Sequence, residues 1–190
     1  MLSLGKVKKL VKSKLKENHP ERYTHTLGVV KMAAKLAKIY GVDKKKAMIA
    51  AYMHDFCKFD EEVYIKSLLN EEDKKECEEY PVLYHSYGSA AYYKTFVGND
   101  KDIYNAIRNH VWGRLNMSRL EEIILISDYT EENRIYKSCI ECREILLKGE
   151  FYKAIYESVK FTIEYIEKHN KKTHPIQLEV LKYYEGLCDL

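Results

Sequence analysis

The chain has 190 residues, with 32 Lys and Arg against 29 Asp and Glu and a formal net charge of +3. That length suits one domain with a sizeable core, and so small a positive surplus gives no ground for nucleic-acid binding, though it suits an anionic small molecule. The five cysteines form no secreted-type framework and no apolar run nears the roughly 18 residues of a membrane span, so a reduced, cytoplasmic protein without a membrane partner is expected.

Gly (8) and Pro (3) are scarce, which favours helices with short connections. Residues 5–17 read as an amphipathic helix with Val7, Leu10, Val11 and Leu15 on one side. Its lysines read as a solvated face in preference to a membrane-binding one, and no apolar h-region follows to make a signal peptide. His19-Pro20 breaks this helix, and Pro20 opens the next over residues 20–40. There His25, Gly28, Val29, Met32, Ala33 and Leu36 share one stripe, and Gly41 supplies the stop. Asp43 reads as the N-cap of a third helix running into His54. Residues 58–80 look least regular, with a short helix and loops around the stretch Asn70 to Tyr80.

A helix is expected over 85–97, where Gly88, Ser89, Ala90 and Ala91 permit close packing, followed by a turn at Gly98-Asn99-Asp100 and a helix over 101–110. Ser118 caps a helix through Asp128, with Glu121 at the capping-box position. Helices over 135–148 and 150–168 follow, and His174-Pro175 leads a last one to the C-terminus. Cys139 and Cys142 read as two cysteines one helical turn apart. The expected fold is all-α, a single helical-bundle domain over 1–190 with its core at about 20–135 and helices 136–190 packed on it.

His54-Asp55 closes the apolar run Ala47 to Met53, where a polar pair has no evident structural use. His25, His85, His110 and Asp128 stand at comparable places on or near apolar stripes. Each has an ordinary explanation: a hydrogen-bonded core histidine at 25, a loop histidine at 85, a helix-end cap at 110, and an Asp128–Arg134 pair. Burying such groups without partners is costly, and the order His, His-Asp, His, His, Asp suggests one shared solution, a metal centre. Imidazole and carboxylate suit Zn, Fe, Mn, Co or Ni, and the lack of cysteine there disfavours a structural zinc site. Trp112 reads either as core or as a surface on which a base stacks.

With its spaced His25, His54-Asp55 and Asp128, the pattern resembles the HD superfamily of metal-dependent phosphohydrolases, named for its His-Asp doublet. The stretches from Arg22 to Val29, His54 to Lys58, His85 to Gly88, Ala106 to His110 and Ser127 to Arg134, with His174-Pro175, are similar to one bacterial subfamily. Its members, once labelled predicted HD hydrolases of NAD metabolism, are associated with symmetrical cleavage of diadenosine tetraphosphate into two ADP. Val111-Trp112, Thr130 and Asn133 depart from the subfamily's usual residues, on the substrate side of the pattern.

The resemblance implies a hydrolase with metal ligands His25, His54, Asp55 and Asp128. It implies iron first, as one or two ions, with Mn, Co, Ni or Zn as alternatives. His85 and His110 are expected to hold a second metal, with Asp55 bridging, or to hold phosphate, and Asp55, His85 and His110 to serve catalysis. Lys58 and Arg134 are the natural charge partners of a polyphosphate. Thr173, His174 and Pro175 are implied as further substrate contacts. A nucleotide phosphomonoesterase or phosphodiesterase, and a noncatalytic metal-bound regulator, are the alternative functions. The expected partner is a dinucleoside polyphosphate or other nucleotide, and a homodimer is compatible with the sequence.

Overall fold

Local signals in the sequence account for most element boundaries. A computed structural model describes residues 1–188, which form α-helices α1 (Leu4–Leu15), α2 (Pro20–Ile39), α3 (Lys44–Met53), α4 (Glu62–Leu68), α5 (Glu71–Glu79) and α6 (Tyr84–Tyr92). They continue as α7 (Lys101–Arg108), α8 (Arg119–Thr130), α9 (Lys137–Leu147), α10 (Phe151–Lys168) and α11 (Pro175–Leu187), with no strand among the described residues. The last two residues of the expected final helix, 189 and 190, lie outside the described residues. Asp43 Oδ1 accepts from the amides of Lys45 (2.7 Å) and Lys46 (3.0 Å), so the carboxylate satisfies two orphan donors at the start of α3. Ser118 and Glu121 form the expected reciprocal capping box on α8. Gly41, at φ +68°, takes the left-handed conformation that ends α2 and turns the chain into α3.

Three stretches differ from expectation. Residues 58–80 are mostly helical, because Asn70 caps α5 through the Asp73 amide (2.8 Å) and splits the stretch into two helices. The helix after His85 ends in a π-type turn over Tyr93–Val97, closed by the Gly98 amide on the Tyr93 carbonyl (2.9 Å). α7 stops at Arg108, so His110 lies in the turn beyond it, and α8 carries Asp128 within its last turn.

α8 is the centre of the bundle. Every residue from Leu120 to Ser127 is buried, and Ile123, Ile124 and Ile126 are fully so. α2, α3, α7, α9 and α10 pack around it. The buried residues of α8 occupy every side and include the polar Glu121, Glu122 and Ser127, which explains why its sequence shows little amphipathic contrast. The segment after α8 is pinned by Arg143, whose Nε donates to the Thr130 carbonyl (2.7 Å) and whose Nη2 donates to those of Glu131 and Arg134 (2.6 Å each). Among the described residues, no helix is long and apolar enough to cross a membrane.

Ile124→Ala is expected to cost about 2–5 kcal/mol of stability, the range for a truncated core side chain. Urea unfolding of the parent and variant measures it, and a loss under about 1 kcal/mol would contradict a central α8.

Candidate metal centre

Five separate elements deliver polar side chains to one point. α2 supplies His25 from a face on which Thr26, Gly28, Val29 and Ala33 are also buried. His54 caps α3 and Asp55 follows it, inside six consecutive buried residues from Tyr52 to Cys57. Successive tight turns, Phe56 amide to Met53 carbonyl (3.1 Å) and Lys58 amide to Asp55 carbonyl (3.0 Å), coil this segment so that both side chains face the same way. His85 stands at the start of α6, which approaches the His-Asp turn closely. A Cβ on Gly88 would lie 3.4 Å from Cys57 Cβ, and Ser89 Oγ accepts from the Cys57 amide at 2.9 Å. His110 comes from the turn after α7 and Asp128 from α8.

Asp55 sits at the middle with its two oxygens divided between two groups of imidazoles. Oδ2 lies 3.3 Å from His54 Nε2 and 3.9 Å from His25 Nε2, while Oδ1 lies 3.2 Å from His85 Nε2 and 3.7 Å from His110 Nε2. Asp128 Oδ1 is 2.9 Å from His25 Nε2 and 3.7 Å from His54 Nε2. The expected residues His25, His54, Asp55, His85, His110 and Asp128 are thus brought together. His25, His54 and Asp128 form one group with the spacing of metal ligands, and His54, Asp55 and His110 form another.

The hydrogen bonds fix which nitrogens face inward. His54 Nδ1 donates to the Ala51 carbonyl (2.7 Å), His110 Nδ1 to the Ile107 carbonyl (2.7 Å), and His25 Nδ1 to the Glu131 carboxylate (3.1 Å). In each ring the Nε2 lone pair is left pointing at the cluster. His25 Nε2 and His54 Nε2 are buried and make no hydrogen bond. Imidazole lone pairs facing carboxylate oxygens repel unless a cation lies between them, and these buried atoms therefore fit a bound metal ion.

Burial alone would raise the Asp55 carboxyl, but His54, His110 and His85 outweigh it and hold it well below the usual carboxylate range. For Asp128, burial is outweighed by Arg134 and His25, again well below that range. Burial lowers His54, and it lowers His85 to about 3 against the partial opposition of Asp55. Burial also lowers His25, but Asp128 and Glu131 more than offset it and raise that ring. The cluster thus presents ionised carboxylates beside neutral rings at 54 and 85, the protonation states that ligands require.

The cluster opens into a cleft of about 580 Å³, within the range of small-molecule sites. Lys58 Nζ stands 3.3 Å from each His85 ring nitrogen, and Arg134 Nη2 donates to Asp128 Oδ1 at 2.8 Å, so both expected cations line the cleft. Arg22 joins them, its Nη1 2.7 Å from Asp55 Oδ2. Neither Arg22 nor Glu131 is among the residues expected at the site from the sequence. The offset Arg22 to His25, three residues along a helix, was the signal for the first. Nothing local marked Glu131. Thr173 and Pro175 line neither this cleft nor the smaller cavity beside it. His174 lines the smaller one, caps α11 by accepting from the Ile176 amide (3.1 Å), and stacks on Trp112 at 4.8 Å. Trp112 is buried and borders both cavities.

Burial lowers the rings of His54 and His85, so metal-free protein is expected to lose stability in acid. The folded value of His85 lies below its ordinary 6.5, so its contribution is whole above pH 6.5 and is lost as pH falls toward 3. Raised His25 acts oppositely, its contribution present below 6.5 and lost on raising the pH through its folded value. With both His54 and His85 lowered, the melting temperature of chelator-treated protein is expected to fall between pH 7 and pH 5, and to fall less in His85→Gln. Parallel pH profiles for the two proteins would remove His85 as the cause.

The HD domain family matches residues 22–133, which include every side chain of the cluster. A Halalkalibacterium halodurans protein named bis(5'-nucleosyl)-tetraphosphatase, symmetrical, is 38% identical over 177 residues, covering 92% of each chain. Its Bacillus subtilis namesake is 36% identical over 168 residues, covering 87% of this chain and 88% of that one. The crystal structure of a Clostridium acetobutylicum protein, described as a predicted HD superfamily hydrolase involved in NAD metabolism, superposes with a TM-score of 0.84. It is 32% identical and covers 98% of both chains. An all-helical bundle, a His-Asp doublet at the heart of the buried cluster, and relatives matching over nearly the full length lead to one assignment: the chain belongs to the HD domain family.

Proposed function

We propose that this protein hydrolyses diadenosine tetraphosphate symmetrically, giving two ADP, with transition-metal ions held about Asp55. Full-length relatives named for that activity support the substrate, and the division of Asp55 between two imidazole groups supports the centre. His25, His54, Asp128 and Asp55 Oδ2 would hold one ion, and His85, His110 and Asp55 Oδ1 a second ion or a phosphate oxygen. Family resemblance puts iron first, and the nitrogen and oxygen donors also suit Mn, Co, Ni or Zn. When bound there, such an ion polarises a phosphoryl oxygen and makes water more acidic.

The chain's own residues account for the rest. Lys58, Arg22 and Arg134 approach the cluster from three elements, which suits a polyphosphate held on both sides of the reacting phosphorus. A guanidinium fork holds two phosphate oxygens at once, and partly buried Lys58 adds a compact charge. Burial keeps the His85 ring neutral, so it can accept a proton from the attacking water, and His110 Nε2 lies 3.2 Å from His85 Nε2 beside the same carboxylate oxygen. Away from the cluster the cleft is lined by Val159, Phe161, Thr162, Tyr165 and Tyr136, an apolar wall suited to a nucleoside. A cytoplasmic setting suits the four buried thiols Cys57, Cys77, Cys139 and Cys142.

Anaerobic incubation with diadenosine tetraphosphate, followed by anion-exchange chromatography, tests the proposal. ADP is expected as the only nucleotide product. His54→Ala and Asp55→Ala should lower turnover by at least about 10³-fold and reduce bound metal, because each removes a side chain from the centre. Equal AMP and ATP would overturn the symmetrical reading. Orthophosphate released from mononucleotides, with the dinucleotide untouched, would favour a nucleotidase.

A further inference from the structure

His25 differs from the other inward-facing rings in how its outer nitrogen is satisfied. His54 and His110 lie at helix ends, where the carbonyl three residues back is free to accept from Nδ1. His25 lies inside α2, where the preceding carbonyls serve the helix ladder, so its acceptor must come from elsewhere. That acceptor is Glu131, just past the end of α8 and 106 residues away in the chain.

Glu131 has a purpose-shaped seat. It is 1% exposed, and among the described residues its only ionic partner is the His25 ring. Its second oxygen accepts from the Asn133 amide (2.7 Å) and from Asn133 Nδ2 (2.8 Å). Gly28, one turn along α2 from His25, leaves the space: a Cβ there would lie 2.0 Å from Glu131 Oε2 and 2.8 Å from Asn133 Nδ2. Arg143 holds the backbone carbonyls on either side of the seat. Burying a carboxylate without a full cationic partner is costly, and a tailored seat for one that only orients an imidazole argues for a role at that imidazole.

We propose that Glu131 is the positioning residue of the metal centre, holding His25 as its Nδ1–H tautomer so that the Nε2 lone pair faces Asp128 and the ion. A carboxylate acceptor also makes the ring a stronger donor to a metal than a carbonyl acceptor does. Gly28 and Asn133 then serve to keep that carboxylate in place. The inference rests on His25 being a metal ligand.

Two measurements on purified protein test it. The first titrates Co²⁺ anaerobically against a fluorescent chelator. Glu131→Gln is expected to weaken Co²⁺ binding roughly 10–100-fold, the usual effect of losing such a partner. Gly28→Ala is expected to do the same with Glu131 intact, and carries the test if Glu131→Gln does not fold. The second records ¹⁵N–¹H spectra of the histidine rings in metal-free protein. Glu131→Gln should shift His25 away from the Nδ1–H tautomer while the signals of His54 and His110 stay, which general loosening of the fold would not produce. Parent-like Co²⁺ affinity in Glu131→Gln, with an unchanged His25 tautomer, would overturn the proposal if His25→Ala loses affinity. Parent-like affinity in His25→Ala itself would overturn the ligand reading as well.

Discussion

The buried carboxylate of Asp55 is the constraint around which the structure is arranged. It is 3% exposed, ionised, and close to four imidazoles, each delivered by a different part of the chain. An isolated charge at that depth would be prohibitive, so the surroundings must supply compensating donors or cations. The helices meet this demand by close approach. Gly28 lets Glu131 press against α2, Gly88 lets α6 press against Ile65 of α4, and Ser89 ties α6 to the His-Asp turn. α8, buried on all sides, is the rigid post from which Asp128 and the Glu131 segment are set. A metal ion bound at this point would convert an electrostatic liability into binding energy that favours the folded state.

The same arrangement divides the cleft in two. Its cluster end gathers Arg22, Lys58 and Arg134 beside two carboxylates, and its other end is the apolar wall from α10 and Tyr136. A ligand with a charged phosphate chain and flat heteroaromatic ends matches that division. The cations also neutralise Asp55 and Asp128 in part, so the mouth does not repel an anionic substrate.

Much of this was legible in the sequence because buried polar groups interrupt apolar stripes. His25 breaks the face of α2, His54-Asp55 ends the run Ala47 to Met53, and Asp128 ends Ile123 to Ile126. Caps at Asp43 and Ser118 were likewise local and chemical. What escaped depends on contacts distant in sequence. Glu131 sits among polar neighbours after α8, and only the fold places it against a ring on α2. Likewise, only the fold brings Arg22 within 2.7 Å of Asp55 Oδ2. The stretch 58–80 was too polar to show a stripe, since its helices bury only a few side chains, Ile65, Asp73 and Cys77 among them. The Thr173-His174-Pro175 expectation came from resemblance, and His174 here serves as a helix cap against Trp112.

Anomalous diffraction from crystals of the metal-loaded protein tests the Asp55-centred site most directly. A peak is expected within bonding distance of His25 Nε2, His54 Nε2, Asp128 and Asp55 Oδ2, with any second peak on the Asp55 Oδ1 side against His85 and His110. A fully loaded crystal whose anomalous peaks all lie away from Asp55 would contradict it.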